Sequence, residues 1–374
     1  MRSDWVQLSR AAGIAMLVAL CLQLVYISRY DWNPAALIGM PKYLADDVGD
    51  VSPQIPIFAN GGHDGGYVYV FARSPFRVDA NHAAFHVERP LFPLTAWALA
   101  LGHVEWLPYS MPLVNLLATG MIAIASGISL RRRGMNPGWA LVCALGPGLA
   151  MPLRFNLVDQ YVLAWICLAF VFFDQKKHAG GSLCLALSIL ARPMSLGAAG
   201  VAVCAAWMQN TDRRPAMLYA LSPMPYLGWR VFLAAQLDYP LNIFTGGGAF
   251  AVPVLSFLTD IQALPVEGSI DLALLFGTAG FYFLMLVAAL RRAWLRGVLT
   301  YEVMLIVGYA AAVLSLPQTL GGGPVQWTRL TPIFPFVVYT FAAERALDAR
   351  LVMLGVLGLS LFGMLWLLGA PVMT

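Results

Sequence analysis

Long apolar runs cut by short arginine and lysine clusters make up most of this chain, and few folds accept that pattern. The clusters are Arg131-Arg132-Arg133, Lys176-Lys177, Arg213-Arg214, Arg291-Arg292 with Arg296, and Arg345 with Arg350. Apolar runs of this length belong in lipid, where a helix satisfies its own backbone hydrogen bonds. Composition agrees. Of 374 residues, 60% are apolar and 11% charged, and mean hydropathy is +0.72. A soluble domain gives about a quarter of its residues to charge, so this chain lacks the polar surface to dissolve. The expected fold is an all-α polytopic membrane protein, one integral domain over residues 1–374 with about 11 transmembrane helices.

The formal charge of +4 is small and sits in the clusters between apolar runs. No basic stripe interleaved with aromatics crosses a polar surface, so a nucleic-acid partner is not expected. The five cysteines, Cys21, Cys143, Cys167, Cys184 and Cys204, all lie inside apolar stretches without paired spacing. They read as small buried apolar residues.

Cytoplasmic loops collect basic residues. Placing all five clusters and the N-terminus inside threads the chain without forcing any loop. Helix 1 (10–28) runs outward, and a long segment, 29–106, lies outside. Helix 2 (108–130) returns to the triple arginine, and helices 3 (138–152) and 4 (158–173) form a hairpin with an outer turn at Pro152–Asn156. Two short pieces, 181–191 and 194–208, are broken by Arg192-Pro193. Helix 7 (216–235) goes out to a second outer loop, 236–269, and helices 8 (270–290), 9 (301–317), 10 (330–343) and 11 (351–369) complete the bundle. Residues 11–27 resemble a signal peptide, but no small-x-small cleavage site follows, so they are read as an uncleaved first span. Short, proline-broken helices are tolerated in lipid where neighbouring protein or a wet cavity satisfies freed backbone groups. The 24 prolines fit either an outward-opening cavity or ordinary kinks.

The first outer loop holds the most informative chemistry. It reads Gly61-Gly62-His63-Asp64-Gly65-Gly66-Tyr67-Val68-Tyr69, and later Glu88-Arg89-Pro90-Leu91-Phe92-Pro93-Leu94. Four glycines around one acid let the backbone turn tightly and bring that carboxylate to a ligand. An aspartate between glycines also serves as an Asx-turn or helix N-cap, and the local pattern leaves both open. The segment 66–72 is amphipathic and aromatic, as expected of an interfacial helix, and 90–103 is similar. The pieces Asp46-Asp47 and Asp50 lack the D-x-D spacing of a nucleotide-sugar metal site. His63, His82 and His86 fit no common metal signature and read first as solvated loop histidines, so no cofactor is expected, with extra hydrogen-bond donors or a divalent metal as the alternative.

This order, an outer loop with Asp64-Gly65-x-Tyr67 and Phe71-Ala72 and then Arg89, Leu91, Pro93 and Leu94, resembles the GT-C superfamily of membrane glycosyltransferases. Within it the chain is most similar to bacterial cell-surface glycopolymer proteins, and more distantly to the GPI mannosyltransferases. Weaker likeness extends to Asp159, Ala191-Arg192, Trp229-Arg230 and Arg329-Leu330-Thr331-Pro332. His63 departs from the family, which commonly has an aromatic before the acid, and Tyr67 comes one residue early.

The resemblance implies a sugar donor on polyprenyl phosphate, a glycan or glycolipid acceptor, and inversion at the anomeric carbon. The charge clusters, with the N-terminus cytoplasmic, put Asp64 on the outer face, which agrees with such a donor in the bacterial inner (plasma) membrane. Asp64 would be the general base. Arg192, Arg89, Arg73, Arg154 and Arg329 are candidates for the donor phosphate, because a guanidinium fork holds two phosphate oxygens at once. His63, Tyr67 and Asp159 would support the acceptor. Arg192 has a second reading, an ion pair with Asp159 that staples two helices. The second outer loop, with Asp238, Asp260, Glu267 and Asp271, reads either as a cover over the acceptor or as a connector.

The rival class is a transporter or lipid flippase. Transporters favour matched inverted repeats with paired broken helices, and no repeat relates the two halves of this chain. A channel would carry a polar or carbonyl-rich filter, which no span has. A non-catalytic envelope scaffold would have no need of a glycine-flanked acid.

Overall fold

The computed structural model describes residues 2–49, 51–59, 64–75, 87–209, 211–237, 269–314 and 333–369. Helix dominates these residues. The only strands among them are β1 (Met40–Pro41) and β2 (Ile57–Phe58), which pair in parallel with Met40 opposite Ile57.

Three of the described helices are long and apolar enough to cross a membrane. They are α1 (Arg2–Ile27), α5 (Leu107–Arg132) and α16 (Leu347–Gly369). Leucines project outward from them, Leu17, Leu20 and Leu24 on α1 and Leu354, Leu361 and Leu365 on α16. Apolar faces left this bare fit lipid rather than water. Cys21 and Cys204 are exposed, unlike Cys143, Cys167 and Cys184, and this corrects the expectation that all five are buried. In a bilayer an apolar residue loses nothing by facing outward, so apolar surroundings in sequence do not imply burial.

Helices α1 and α5 pack closely because glycine leaves room. A Cβ on Gly120 would come within 2.7 Å of the Met16 sulfur, and one on Gly127 would overlap the Leu8 side chain. Helix packing in lipid relies on such close approach, since lipid supplies no hydrophobic drive between helices.

Between α1 and α5 the chain forms α2 (Lys42–Val48), α3 (Gly65–Arg73) and α4 (Leu91–Leu99). Beyond α5 come α6 (Trp139–Ala144), α7 (Ala150–Phe155), α8 (Asp159–Asp174), α9 (His178–Ala191) and α10 (Leu196–Gln209). Then follow α11 (Arg214–Ala220), α12 (Met224–Leu237), α13 (Ser269–Arg296), α14 (Tyr301–Leu314) and α15 (Phe334–Phe341).

Proline sets the breaks. Arg192, before Pro193, is extended at φ −158° and ψ 116°, so α9 ends where the sequence predicts. The segment 138–152, read as one helix, is split: Gly146 is extended before Pro147, and α7 starts only after a short 3-10 turn. The segment 216–235 is split likewise at Leu221-Ser222-Pro223 into α11 and α12. Proline lacks the N–H that an unbroken helix requires.

Candidate functional site

Asp64 stands at the first turn of α3, and the two glycines after it explain how it is held. A Cβ on Gly65 would drive into the carbonyl oxygens of Phe155 and Ile38, and one on Gly66 would come within 2.8 Å of Pro41 Cδ. Backbone therefore packs on backbone, wedging the start of α3 between the Ile38–Pro41 segment and the end of α7. The Asp64 side chain makes no capping hydrogen bond, so the N-cap reading of this acid does not hold. Its Oδ2 lies 3.5 Å from Arg89 Nη1 instead; the Arg89 side chain is 10% exposed and that of Asp64 50%. Burial lowers the Arg89 pKa, while the charges of Asp64 and Glu88 act to raise it.

Asp64 and Arg89 open onto a narrow cleft of about 10 Å³ completed by Val68, Leu157, Val158 and Asp159. Asp159, in the first turn of α8, forms a buried ion pair with Arg192 at the end of α9. Two carboxylate–guanidinium pairs thus meet at one cleft. The Asp64 pair is long and half exposed, the Asp159 pair tight and enclosed. Of the two readings of Arg192, the helix staple is the one formed.

Sequence reasoning missed the support for Arg89. Glu88 is buried, forms an ion pair with Arg230 of α12, and accepts a hydrogen bond from the Tyr226 hydroxyl at 3.2 Å. Trp229 Nε1 donates to the Val87 carbonyl at 2.7 Å, and its ring meets Phe71 of α3 edge-on. The segment carrying Arg89 is therefore pinned to α12 at Val87 and at Glu88. The signal was an acid beside Arg89 and a lone arginine in an apolar helix; each needed a partner. Tyr161 of α8 adds a link, its hydroxyl 2.9 Å from Thr95 of α4. Asn156, left-handed at φ 50° and fully buried, has neither amide atom partnered.

The other predicted residues fall elsewhere. Tyr67, one turn along α3, donates a 3.4 Å hydrogen bond to the Tyr43 hydroxyl, and burial together with that contact pushes its phenol pKa up. Arg73 ends α3, about 13 Å along the axis from Asp64 at 1.5 Å per residue. Arg154 is buried with its guanidinium over the rings of Tyr26 and Phe155, 5.1 and 4.8 Å from their centroids. Neither Arg73 nor Arg154 lines the cleft. His63, His82, His86 and Arg329 lie outside the described residues, as does the second outer loop apart from its two edges. Among the described residues, no group of three or more histidine, cysteine or acidic side chains is placed to hold a metal ion.

No protein-family model matches this chain, and no curated protein or solved structure matches it.

Proposed function

We propose that the chain is a lipid-dependent glycosyltransferase. It transfers a sugar from a polyprenyl-phosphate donor to a glycan or glycolipid acceptor at the outer face of the bacterial inner membrane. In this reading it makes about eleven passes with a cytoplasmic N-terminus, following the basic clusters.

One observation carries the proposal: a half-exposed carboxylate, Asp64, is fixed by backbone packing at a cleft and faced by a buried guanidinium, Arg89. The carboxylate makes no helix cap and is half exposed, so it can accept a proton. As the acceptor oxygen attacks the anomeric carbon, its proton passes to Asp64. The bond to the phosphate oxygen breaks on the opposite side, and the lipid phosphate leaves with the electron pair. Arg89, 3.5 Å from the Asp64 carboxylate, serves the charge that develops on that phosphate by turning from Asp64 toward the departing oxygen. Arg192, paired with Asp159, is the second guanidinium near the cleft that this reading offers to the phosphate.

A second reading, a transporter or flippase, draws on the broken α9–α10 pair with its buried Arg192–Asp159 ion pair. Discontinuous helices carry the binding sites of many transporters.

Purified protein incubated with a panel of polyprenyl-phosphate sugars separates the two. Donor consumption that disappears in Asp64→Asn, with the melting temperature unchanged, is the expected result. Equal consumption by both proteins would remove Asp64 from the chemistry. No consumption of any donor by the wild type would favour the transporter.

A further inference from the structure

At the far end of α8 from the cleft, about 23 Å away at 1.5 Å per residue, lies a larger open pocket of about 470 Å³. The ends of α5, α8 and α10 and the starts of α9 and α14 surround it. Its walls include Arg132, Arg133, Lys176, Gln209, Thr300 and Glu302.

The acids in this pocket are already engaged. Asp174 lies 3.1 Å from Arg133 Nη1 and accepts hydrogen bonds of 2.9 and 3.1 Å from the Tyr301 hydroxyl. Glu302 lies 2.6 Å from Arg133 Nη2. One arginine thus serves both carboxylates, while Arg132 and Lys176 add two more cations at exposed positions on the rim. Arg132 gives one N–H to the Asp174 carbonyl at 3.0 Å, and a guanidinium carries five.

Lys176 is the residue that points to a ligand. It is left-handed at φ 58°, in the turn that closes α8. Its N–H bonds the Phe173 carbonyl and that of Lys177 the Phe172 carbonyl, each at 2.9 Å, which is the pairing of a Schellman turn. Glycine is the residue that turn favours, because a Cβ is strained there. The chain places a lysine in that position, and that lysine is part of the pocket wall. Strain kept where a small residue would serve better is characteristic of functional positions.

We propose that this pocket is a second binding site, distinct from the Asp64 cleft, for a phosphate-bearing anion held by Arg132 and Lys176. The three cations of the pocket outnumber its two carboxylates by one, and Arg132 and Lys176, with Thr300 and Gln209 as hydrogen-bond donors, suit phosphate oxygens. The phosphate comes from either an anionic lipid headgroup in the adjoining leaflet or a soluble phosphate ester, and the test tells them apart.

The detergent-purified full chain is offered phosphatidylglycerol, read by native mass spectrometry, and separately inorganic pyrophosphate, read by calorimetry. Binding of the lipid alone identifies a headgroup site; binding of pyrophosphate alone, or of both in competition, identifies a site open to soluble esters. In the double variant Arg132→Gln, Lys176→Gly, affinity falls about ten-fold or more with the loss of two charge-assisted contacts. The single variant Lys176→Gly gives a melting temperature equal to or above the wild type, together with weaker binding. Arg131→Gln, Lys177→Gln, which removes the same charge from neighbouring positions that do not line the pocket, leaves affinity within about two-fold. Binding of neither probe overturns the proposal. So does equal loss in the two double variants, which would mean diffuse surface charge.

Discussion

Glu88 and Arg230 form a buried ion pair across 142 residues of sequence, and Arg89, the next residue, faces the Asp64 carboxylate. The candidate site is thus built in two layers. An enclosed pair fixes the segment, and an open pair beside it faces the cleft.

Removing one member of the enclosed pair strands a charge in a buried setting. Glu88→Ala is expected to destabilise by about 3–5 kcal/mol, the usual result of breaking a buried pair on one side. Replacing both, Glu88→Leu with Arg230→Met, is expected to recover most of that loss, read as melting temperature in detergent. A double variant no more stable than the single would mean that the pair is not the anchor.

The two glycines after Asp64 are expected to be intolerant for a steric reason. Gly65→Ala sets a methyl group against two backbone carbonyls that cannot swing aside, at a cost of about 1–3 kcal/mol. It should also displace Asp64 and lower donor consumption. Gly228→Ala on α12 is the control, because nothing lies within 4 Å of its added Cβ. It is expected to be neutral or to stabilise by up to about 1 kcal/mol. Equal effects at the two positions would refute the close-packing account of Gly65.

Asn156 combines a left-handed backbone with a buried, unpartnered amide. An unsatisfied buried polar group costs about 1–3 kcal/mol, and glycine relieves both strains at once. Asn156→Gly is therefore expected to melt at or above the wild-type temperature. If it melts there but loses activity, the amide serves a ligand beside Leu157 and Asp159 of the cleft. A clear drop in melting temperature would show that the side chain is needed for packing.

What could be read from sequence followed the range of the forces involved. The helix at 158–173 and the break at Arg192-Pro193 lay within a residue or so of the observed α8 and of the end of α9, because periodicity and proline act locally. The splits at Gly146-Pro147 and Ser222-Pro223 were written in the sequence too, but continuous hydropathy concealed them. The charge pairs were harder. Asp64, Arg89, Asp159 and Arg192 each stood out as a charge among apolar residues, and pattern alone linked only Asp159 with Arg192. Glu88 and Arg230 each signalled the need of a partner, but 142 residues apart nothing in the pattern joined them. Arg133 was read as one third of a topological marker, yet it turns inward to Asp174 and Glu302. A marker of orientation and a structural ion pair look the same in sequence.

The Asp159–Arg192 pair allows the staple and the phosphate-binding roles of Arg192 to be separated. Arg192→Gln leaves the Asp159 carboxylate buried without its partner and is expected to lower the melting temperature markedly, as one-sided loss of a buried pair does. Adding Asp159→Asn removes the stranded charge, and the double variant is expected to regain much of the stability, because the residues are in contact and their effects do not add. Donor consumption then decides. If Arg192 only staples α8 to α9, the stabilised double variant regains activity in step with its folding. If Arg192 also receives the donor phosphate, the double variant folds but stays impaired, and the impairment appears as weaker apparent affinity for the lipid donor. Arg192→Lys adds the final discrimination: a point charge can partly maintain the pair with Asp159, but it lacks the planar fork that grips two phosphate oxygens. Stability near that of the wild type with reduced donor affinity is the signature expected of a phosphate-binding arginine, and full activity in Arg192→Lys would leave it a staple alone.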